Sequence, residues 1–473
     1  MTGHTLLILV YTIGPGGSGI GTAGPRGSTI GTGVWPGRQT GRAAHVERWK
    51  RLAVGAAALA VATSGCGIGG GGGSGGDQDG KTLTVWLMDG SAPKSFTDDL
   101  HKEFEAQHDG VQVNYVVQQW KGIQDKLTTA LAGNNPPDVI ELGNTQTARF
   151  AEQGTLADLS GSLGDLAGGQ WQEALKESAS WDGKPYAMPF YAANRTVIYR
   201  KDMFAGAGIA APPKTRAEWL DAIDKLKAAN ADNPDFDPLY LPGQSWYVLL
   251  SFIWDEGGDI AVSDGGKFTA TLDTPQAKAG VEFYAKLVEA SGTKAPKDAD
   301  EATPQQYELF AKGNTAMMIG LPWEAASAIK ADQKLADVTA AFPIPGKDDA
   351  RTAPVFLGGS NLAIPAGSKN QQLARDYLKL LASPEYQDRI GSEAKAVPGA
   401  SRDVSALGSD PIAGPMAAAA SNGKVTPVTP NWAAVEAGQN PLKDMMTAVL
   451  TGAKSVDEAA AEANARIGEL LAG

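Results

Sequence analysis

Five segments between residues 82 and 142 restrict this chain more than anything else in it. Residues 82–88, Thr-Leu-Thr-Val-Trp-Leu-Met, form a short apolar run that stops at Asp89-Gly90, the pattern of a buried strand closed by a turn. Phe96, Leu100 and Phe104 then recur at helical spacing, and residues 111–117 alternate as a second strand. Ile123, Leu127 and Leu131 mark a second helix, stopped by Gly133-Asn134-Asn135-Pro136-Pro137, and 138–142 reads as a third strand. Strand–helix–strand–helix–strand needs crossovers, hence parallel pairing with helices on the sheet faces. Ligands of such sheets bind beyond the carboxyl ends of the strands. That rule selects the loops that begin at Asp89, at Gln119-Trp120 and at Asn144-Thr145-Gln146.

The segment ahead of this unit is an address. Arg48, Lys50 and Arg51 precede an apolar run from Leu52 to Ala62, followed by Thr63-Ser64-Gly65-Cys66, the order of an export signal. The run falls short of the roughly 18–20 apolar residues that span a bilayer. A Cys directly after small residues resembles a bacterial lipobox, with Thr63 standing where such boxes usually carry Leu. The resemblance implies that Cys66 is lipidated and anchors the protein to the outer face of the cytoplasmic membrane. A plain secretory signal with a free thiol is the alternative. Residues 66–80 form a Gly-rich tether of the flexible-coil type. Residues 1–45 lie upstream of an otherwise complete signal, which points to a start codon placed too early, with Val46 near the true start. The first 65 residues are therefore assigned to an N-terminal extension plus signal peptide.

Beyond residue 65 the chain carries 35 Lys and Arg against 52 Asp and Glu. So acidic a body lacks the clustered cations that phosphate contacts need, which excludes a general nucleic-acid binder. Cys66 is the only cysteine, and only His101 and His108 follow residue 65, so disulfide scaffolds, His-rich zinc sites and HExxH are excluded. No metal or cofactor is expected. Two motif matches carry no chemistry. Gly19-Ile20-Gly21-Thr22-Ala23-Gly24 fits GxGxxG, but Pro25 and further glycines follow and no acid comes before Glu47. Gly72-Gly73-Ser74-Gly75-Gly76 fits GxSxG only because the tether is nearly all glycine.

From about Pro189 the pattern changes. The spacing predicts a strand over 194–199, a helix over 217–229 opened by Thr215, and helical stretches from Trp246 to Trp254 and over 275–290. Met317-Met318-Ile319 reads as a short buried strand, 356–364 as another strand and 373–381 as a helix. Residues 455–471 read as an amphipathic, Ala-rich helix, and no repeat period is visible.

Short motifs follow one another in a set order along this body. They are Lys126-Leu-Thr-Thr-Ala-Leu-Ala through Pro137-Asp138-Val139-Ile140, Gly154-Thr155-Leu156-Ala157-Asp158-Leu159, and Asp182-Gly183-Lys184-Pro185-Tyr186 with Met188-Pro189. Tyr199-Arg200-Lys201-Asp202, Phe310-Ala311-Lys312-Gly313-Asn314-Thr315-Ala316 and Gly358-Gly359-Ser360-Asn361-Leu362-Ala363-Ile364-Pro365 complete the series. From about Leu83 to Leu471 the chain resembles the extracellular solute-binding proteins of the carbohydrate-importer class, which serve ABC transporters. Val85-Trp-Leu-Met-Asp-Gly, Leu241-Pro-Gly-Gln-Ser-Trp-Tyr, Val355-Phe-Leu-Gly-Gly-Ser-Asn-Leu and Pro430-Asn-Trp-Ala-Ala-Val-Glu look most similar to actinomycete binding proteins for N,N′-diacetylchitobiose and N-acetylglucosamine.

The resemblance implies a two-lobed, periplasmic-binding-protein-like α/β fold, each lobe a mainly parallel sheet flanked by helices, joined by a hinge. It places the first lobe at 81–188 plus 349–395 and the second at 189–348 plus 396–473. It also implies a monomer that captures sugar between its lobes, closes over it and delivers it to a membrane permease, with no bond made or broken. Maltose, cellobiose and trehalose stay open as alternative ligands.

A sugar ring offers apolar C–H faces and a rim of hydroxyls, so its site needs aromatic plates edged by amides, carboxylates and hydroxyls. Trp323, at a strand end, and Trp432, after Pro430, match the sugar-facing aromatics of the family. Trp246, Trp120, Phe190 and Tyr191 are further plates by position, with packing as the alternative for each. Trp86, Trp171, Trp181, Trp219 and Trp254 read as core or surface packing. Candidates for the polar rim are Asp89, Ser91, Asn144, Thr145, Asn194, Arg195, Gln244, Glu324, Ser360 and Asn361. Arg195 and Glu324 equally fit a salt bridge between the lobes. A glycosidase is the rival reading, because Asp255, Glu256 and Asp259 cluster beside Trp254. That chemistry needs two carboxylates about 5–9.5 Å apart across a scissile bond, whereas acids in a turn ending Gly257-Gly258 are more often solvated or capping. An adhesion lipoprotein is a second rival.

Overall fold

Apolar spacing at the head of the body becomes structure much as its periods require. In the computed structural model, which describes residues 82–436 and 439–473, the chain opens with β1 (Thr82–Met88), α1 (Lys94–Gln107), β2 (Gln112–Gln118), α2 (Ile123–Leu131) and β3 (Val139–Gly143). The export signal, Cys66, the tether and both glycine motifs lie outside the described residues. β1 pairs in parallel with β2 and with β3. Phe96, Leu100 and Phe104 are fully buried with Leu83, Val85 and Val139 of the strands. Each such side chain contributes about 1.5–3 kcal/mol by leaving water.

The chain continues through β4 (Ala187–Ala193) and, after Asn194-Arg195, β5 (Thr196–Arg200). Next come α3 (Arg216–Ala229), α4 (Trp246–Asp255), α5 (Pro275–Ser291), β6 (Met317–Gly320), α6 (Pro322–Ala331) and β7 (Thr339–Phe342). It returns through β8 (Gly358–Ala363), α7 (Gln371–Leu381) and β9 (Val397–Pro398), then closes with α8 (Trp432–Glu436) and α9 (Val456–Ala472). α3 starts where its sequence says it should. The Thr215 hydroxyl accepts from the Glu218 N–H and the Glu218 carboxylate accepts from the Thr215 N–H. Trp219, Ile223 and Leu226 on this helix are buried with Phe252, Trp254, Tyr284 and Met317.

Two sheets organise the two lobes: one in the order β9-β4-β8-β3-β1-β2, the other β6-β5-β7. The two-lobed α/β expectation holds, but within these two sheets parallel pairing is confined to β1, β2 and β3. β8 runs antiparallel to β3 and β4, β9 runs antiparallel to β4, and β5 runs antiparallel to both of its neighbours. Helical crossovers bring β2 and β3 back in the direction of β1, whereas β8 arrives from the second sheet and threads between strands already in place. Sheet membership also moves the lobe limits that the resemblance implies. β4 stays in the first sheet as far as Ala193, past the 188/189 limit, and β9 belongs to that sheet although it follows residue 396. The crossing falls on Asn194-Arg195.

The strand expected over 356–364 is broken at Leu357. Val355–Phe356 pairs with Gly423–Lys424, and Gly358 to Ala363 forms β8. Gly359 allows the inserted strand to approach β4: its φ is +154°, and an added Cβ would lie 2.1 Å from the Tyr191 carbonyl oxygen. Gly359→Ala should therefore cost on the order of 2 kcal/mol or more. Gly161→Ala, where nothing lies within 4 Å of the added carbon, should stay within about 0.5 kcal/mol. Chemical denaturation of the two variants checks the pair.

Candidate functional site

The carboxyl ends of the first-sheet strands carry the predicted polar rim. Asp89 is exposed and accepts from the Gln119 side chain at 3.3 Å. Trp120, 42% exposed, stands beside them. Asn144 donates its backbone N–H to the Gly359 carbonyl (3.1 Å) and its amide to the Leu357 carbonyl (2.7 Å), which fixes the loop after β3 to the returning chain. Ser91 and Ser360 turn inward instead. Both hydroxyls donate to one carboxylate oxygen of Glu141 at 2.6 Å, and the Met88 N–H donates to the other at 2.7 Å. Burial pushes Glu141 up to about 7, against the pull of those hydrogen bonds.

One chain of side chains joins the two lobes. The Thr145 hydroxyl, after β3, donates to Glu436 at the end of α8 (2.9 Å), and the Tyr247 hydroxyl donates to the other Glu436 oxygen at 3.4 Å. The Arg195 guanidinium lies 4.7 Å from the Tyr247 ring centroid and pairs with Glu301. Burial raises both Glu436 and Tyr247 above their ordinary values, and the Glu436 charge raises Tyr247 further. Aromatic rings pack around this line. Tyr247 stacks on Phe356 with centroids 4.5 Å apart and 12° between planes, and Trp246 stacks on Tyr247 and lies 6.5 Å from Trp432.

Several expected site residues are placed elsewhere. Phe190 is core: it is buried in the first-lobe cluster, where its ring meets that of half-buried Tyr191 edge-on at 5.2 Å, and the pairing of β4 with β8 skips it between Pro189 and Tyr191. Asn361 is fully buried and donates to the Thr147 hydroxyl (2.9 Å) and the Ser178 carbonyl (3.1 Å). Glu324 does not pair with Arg195 by a hydrogen bond or salt bridge. It caps the start of α6, accepting from the Leu321 N–H and the Gln306 amide at 2.8 Å each. Gln244 donates to the Thr447 hydroxyl at 3.0 Å. Asn194, at the crossing, is fully buried and has no partner for either amide atom among the described residues. Trp432 is fully buried and Trp246 nearly so, whereas Trp323 is 52% exposed and lies edge-on to Tyr307 at 5.9 Å.

Sequence reasoning missed Glu141, Tyr247, Glu301 and Glu436. Glu141 had a signal, an acid set between Ile140 and Leu142 in a buried run. Glu436 lies one helical turn from Trp432, and nothing local marks Tyr247 or Glu301. The acids of the glycosidase reading hold the scaffold: Arg216 bonds Asp255 (2.6 Å) and Glu256 (2.7 Å), and Asp259 accepts from the Trp254 indole at 3.0 Å. Among the described residues no group of three or more His, Cys, Asp and Glu is arranged to hold a metal ion.

The recess beside Asn144 and Thr145 has about 10 Å³, closed by Ala148 and Val425 to Val428. The same segment forms the floor of a much larger cleft, about 860 Å³, between Trp181-Asp182-Gly183 and the strand pair that carries Val262 and Phe268. No predicted site residue lines this second cleft. The arrangement by Thr145 joins hydroxyls from both lobes on one carboxylate, and the larger cleft, lined by Glu177, Asp182, Asp259 and Lys424 among others, is the one with room.

Residues 89–388 match the bacterial extracellular solute-binding protein family, and the chain belongs to it, an exported protein whose task is to bind a solute. The diacetylchitobiose-binding protein DasA of Streptomyces coelicolor is 45% identical over 380 residues, covering 80% of this chain and 88% of that protein. A maltooligosaccharide ABC transporter solute-binding lipoprotein of Streptococcus pneumoniae is 23% identical across 84% of this chain and 90% of its own length. Among solved structures, the GacH receptor of Streptomyces glaucescens superposes with a TM-score of 0.68 at 25% identity, covering 82% of this chain and 98% of that one. The sugar-binding protein MalE of Xanthomonas citri shares the fold at a TM-score of 0.72 and 22% identity, over 83% and 98%.

The two tryptophans expected to face sugar, Trp323 and Trp432, should separate by mutation. Trp432→Ala empties a core position and should cost about 3–5 kcal/mol. Trp323→Ala should stay within about 0.5 kcal/mol. Urea titration followed by far-ultraviolet circular dichroism measures both.

Proposed function

We propose that this protein is the substrate-binding component of an ABC carbohydrate importer, that its cargo is N,N′-diacetylchitobiose or N-acetylglucosamine, and that it releases that cargo unchanged. The cargo reading is supported by the 45% identity to a diacetylchitobiose-binding protein across most of both chains. One geometric observation carries the binding mechanism: Thr145 of the first lobe and Tyr247 of the second meet on the same carboxylate, Glu436.

The recess of about 10 Å³ beside Thr145 has room for roughly one water, whereas ligand pockets run to about 300–1,000 Å³. Admission of a saccharide therefore requires this recess to open, and in this reading it opens as Thr145 and Glu436 part. The saccharide hydroxyls then take over the hydrogen bonds those two groups make to each other. Contacts to both lobes exist only in the closed form, so ligand shifts the population towards closure. Asp89, Trp120, Asn144, Thr145, Arg195, Trp323, Tyr247 and Glu436 are the side chains assigned to this cleft, with Trp246 and Trp432 as its packed wall. The same reading makes Cys66 the lipid anchor, 66–80 the tether and a membrane permease the receiver of the closed monomer. Support for a non-catalytic role comes from Asp255 and Glu256, whose carboxylates are committed to Arg216.

Isothermal titration calorimetry with chito-oligosaccharides, N-acetylglucosamine, maltose, cellobiose and trehalose tests this. Binding is expected for the N-acetylated sugars, and Glu436→Gln should weaken it by about tenfold or more, the scale of a hydrogen bond to a charged group. Binding of a glucoside alone overturns the cargo while leaving the class. Loss of binding in Trp181→Ala, with Glu436→Gln unaffected, moves the sugar to the larger cleft.

A further inference from the structure

The cleft of about 860 Å³ plays no part in that mechanism, yet both lobes build it. Its first-lobe wall is a tight hairpin: Ser180–Trp181 pairs with Lys184–Pro185, and the turn is Asp182 (φ 48°) and Gly183 (φ 72°). Its second-lobe wall is another, Ala261–Asp264 against Lys267–Ala270, turned by Gly265 (φ 58°) and Gly266 (φ 84°). Two-residue turns of this kind need positive φ at both positions, which Gly and Asp supply. Each hairpin is rooted in its own lobe. Trp181 packs against the cluster that holds Ile140 and Leu142 of β3, and Ala261 and Ala270 are buried with Trp254 and Leu272. The lining combines ring and acid: Trp181 and Phe268 with half-exposed Val262, and Glu177, Asp182 and Asp259.

The charges of this lining do not cancel. Lys424 is its one cation among the described residues, and it is committed: its ammonium lies 3.8 Å from Asp259 and 5.6 Å from the centre of the Trp254 ring. Asp259 also accepts from the Ile260 N–H at 2.8 Å. Glu177 and Asp182 make no hydrogen bond or ion pair with any described residue. Partial burial first, and then the charges of Glu173 and Asp259, hold the Glu177 carboxyl above its ordinary value, the sign of a negative local field.

The floor adds an independent observation. Thr426 lines both this cleft and the recess beside Thr145, and it is 3% exposed. Its hydroxyl has no hydrogen-bond partner among the described residues. A buried hydroxyl without a partner is costly, so one on a cavity wall calls for a polar group that enters the cavity.

We propose that this cleft is a second saccharide site and that it takes amino sugars whose nitrogen is free and protonated. Trp181 and Phe268 supply apolar faces for the C–H surface of a ring. Glu177 and Asp182 supply the counter-charge for an ammonium group, and Thr426 a hydroxyl for the edge of the ring. An acetamido group is neutral and gains nothing from the net charge of the two carboxylates, so the cleft prefers the sugar that has lost its acetyl. Its volume suits a disaccharide, since ligand pockets run to about 300–1,000 Å³. The inference rests on the saccharide reading above, but not on the cargo's place beside Thr145.

Isothermal titration calorimetry at about pH 6, below the range of a simple amine, compares N,N′-diacetylchitobiose with its fully deacetylated counterpart, the glucosamine disaccharide of the same linkage. The deacetylated sugar should bind once per chain, and should still bind when the protein is already saturated with N,N′-diacetylchitobiose. Raising salt from about 20 mM to about 200 mM should weaken it several-fold and leave the acetylated sugar unmoved. Glu177→Gln and Asp182→Asn, both at exposed positions where the amide keeps the shape of the acid, should each weaken the deacetylated sugar by roughly three- to tenfold. Neither should change binding of the acetylated one. Thr426→Val, which keeps the volume and removes the hydroxyl, should weaken the deacetylated sugar as well. Trilysine, a cation without a ring, should bind far more weakly than the deacetylated sugar.

Wild type that binds the acetylated sugar alone overturns this inference and spares the proposed function. Competition of the two sugars for one site overturns the inference too, as do carboxamide variants with wild-type affinity for the deacetylated sugar. Trilysine that binds as tightly as the sugar replaces the amino sugar with a basic peptide and overturns the ligand class. Wild type that binds no saccharide at all overturns the proposed function and this inference together.

Discussion

The insertion of β8 between β3 and β4 is the constraint on which the rest of this structure depends. β8 pairs with β3 and β4 on its two sides, so the first sheet is completed by chain that has already built the second. The lobes are consequently tied by several passages of backbone, one at Asn194-Arg195, one at Leu357 and one after β9. Leu357 and Gly359 receive the two hydrogen bonds of Asn144. The loop after β3, expected to touch ligand, is thus bonded to a passage between the lobes that the proposed closure would bend. Binding and hinge geometry share the same atoms here.

Polar groups taken out of water set the chemistry of the cleft more than its aromatic plates do. A buried carboxylate left without partners costs more than a neutral group would, so Glu141 and Glu436 persist only because hydroxyls and N–H groups from several segments meet them. In each case the partners come from distant parts of the sequence: positions 88, 91 and 360 for Glu141, and 145 and 247 for Glu436. Such a carboxylate reports on whether its surroundings are assembled, and it does so over the whole lobe. Asn194 is the contrast. Both ends of its amide are unmatched at the crossing, a cost of about 1–3 kcal/mol that the surrounding packing has to outweigh.

What could be read from the sequence was what neighbouring residues decide among themselves. Phe96, Leu100 and Phe104 announce the buried face of α1, Thr215 with Glu218 announces the start of α3, and the run of short motifs announces the family. Strand direction was not legible beyond β3, because alternation along 358–363 is the same whichever way its neighbours run. The exposure of a tryptophan was not legible either. Trp323 and Trp432 both follow a proline by one or two residues, yet one is half in water and the other sealed, according to what distant segments lay over them. The burial of Phe190 was not legible because the pairing of β4 with β8 shifts register at that residue, which only the inserted strand decides. Asn144 and Thr145 are candidates because a topological rule about strand ends points at them. Glu436 and Tyr247 obey no such rule, since they reach the same spot from helices whose placement only the full fold determines.

The late arrival of β8 has a bearing on biogenesis. Until residue 363 is available, the first lobe has an open seam between β3 and β4, with two rows of backbone groups unpaired. Contacts so far apart along the chain form slowly, since a long loop must be closed before they give any return. A polypeptide that leaves the cell through a narrow conduit has to remain loose until it is across. Here the order in which the strands are spelled out delays consolidation without any added brake.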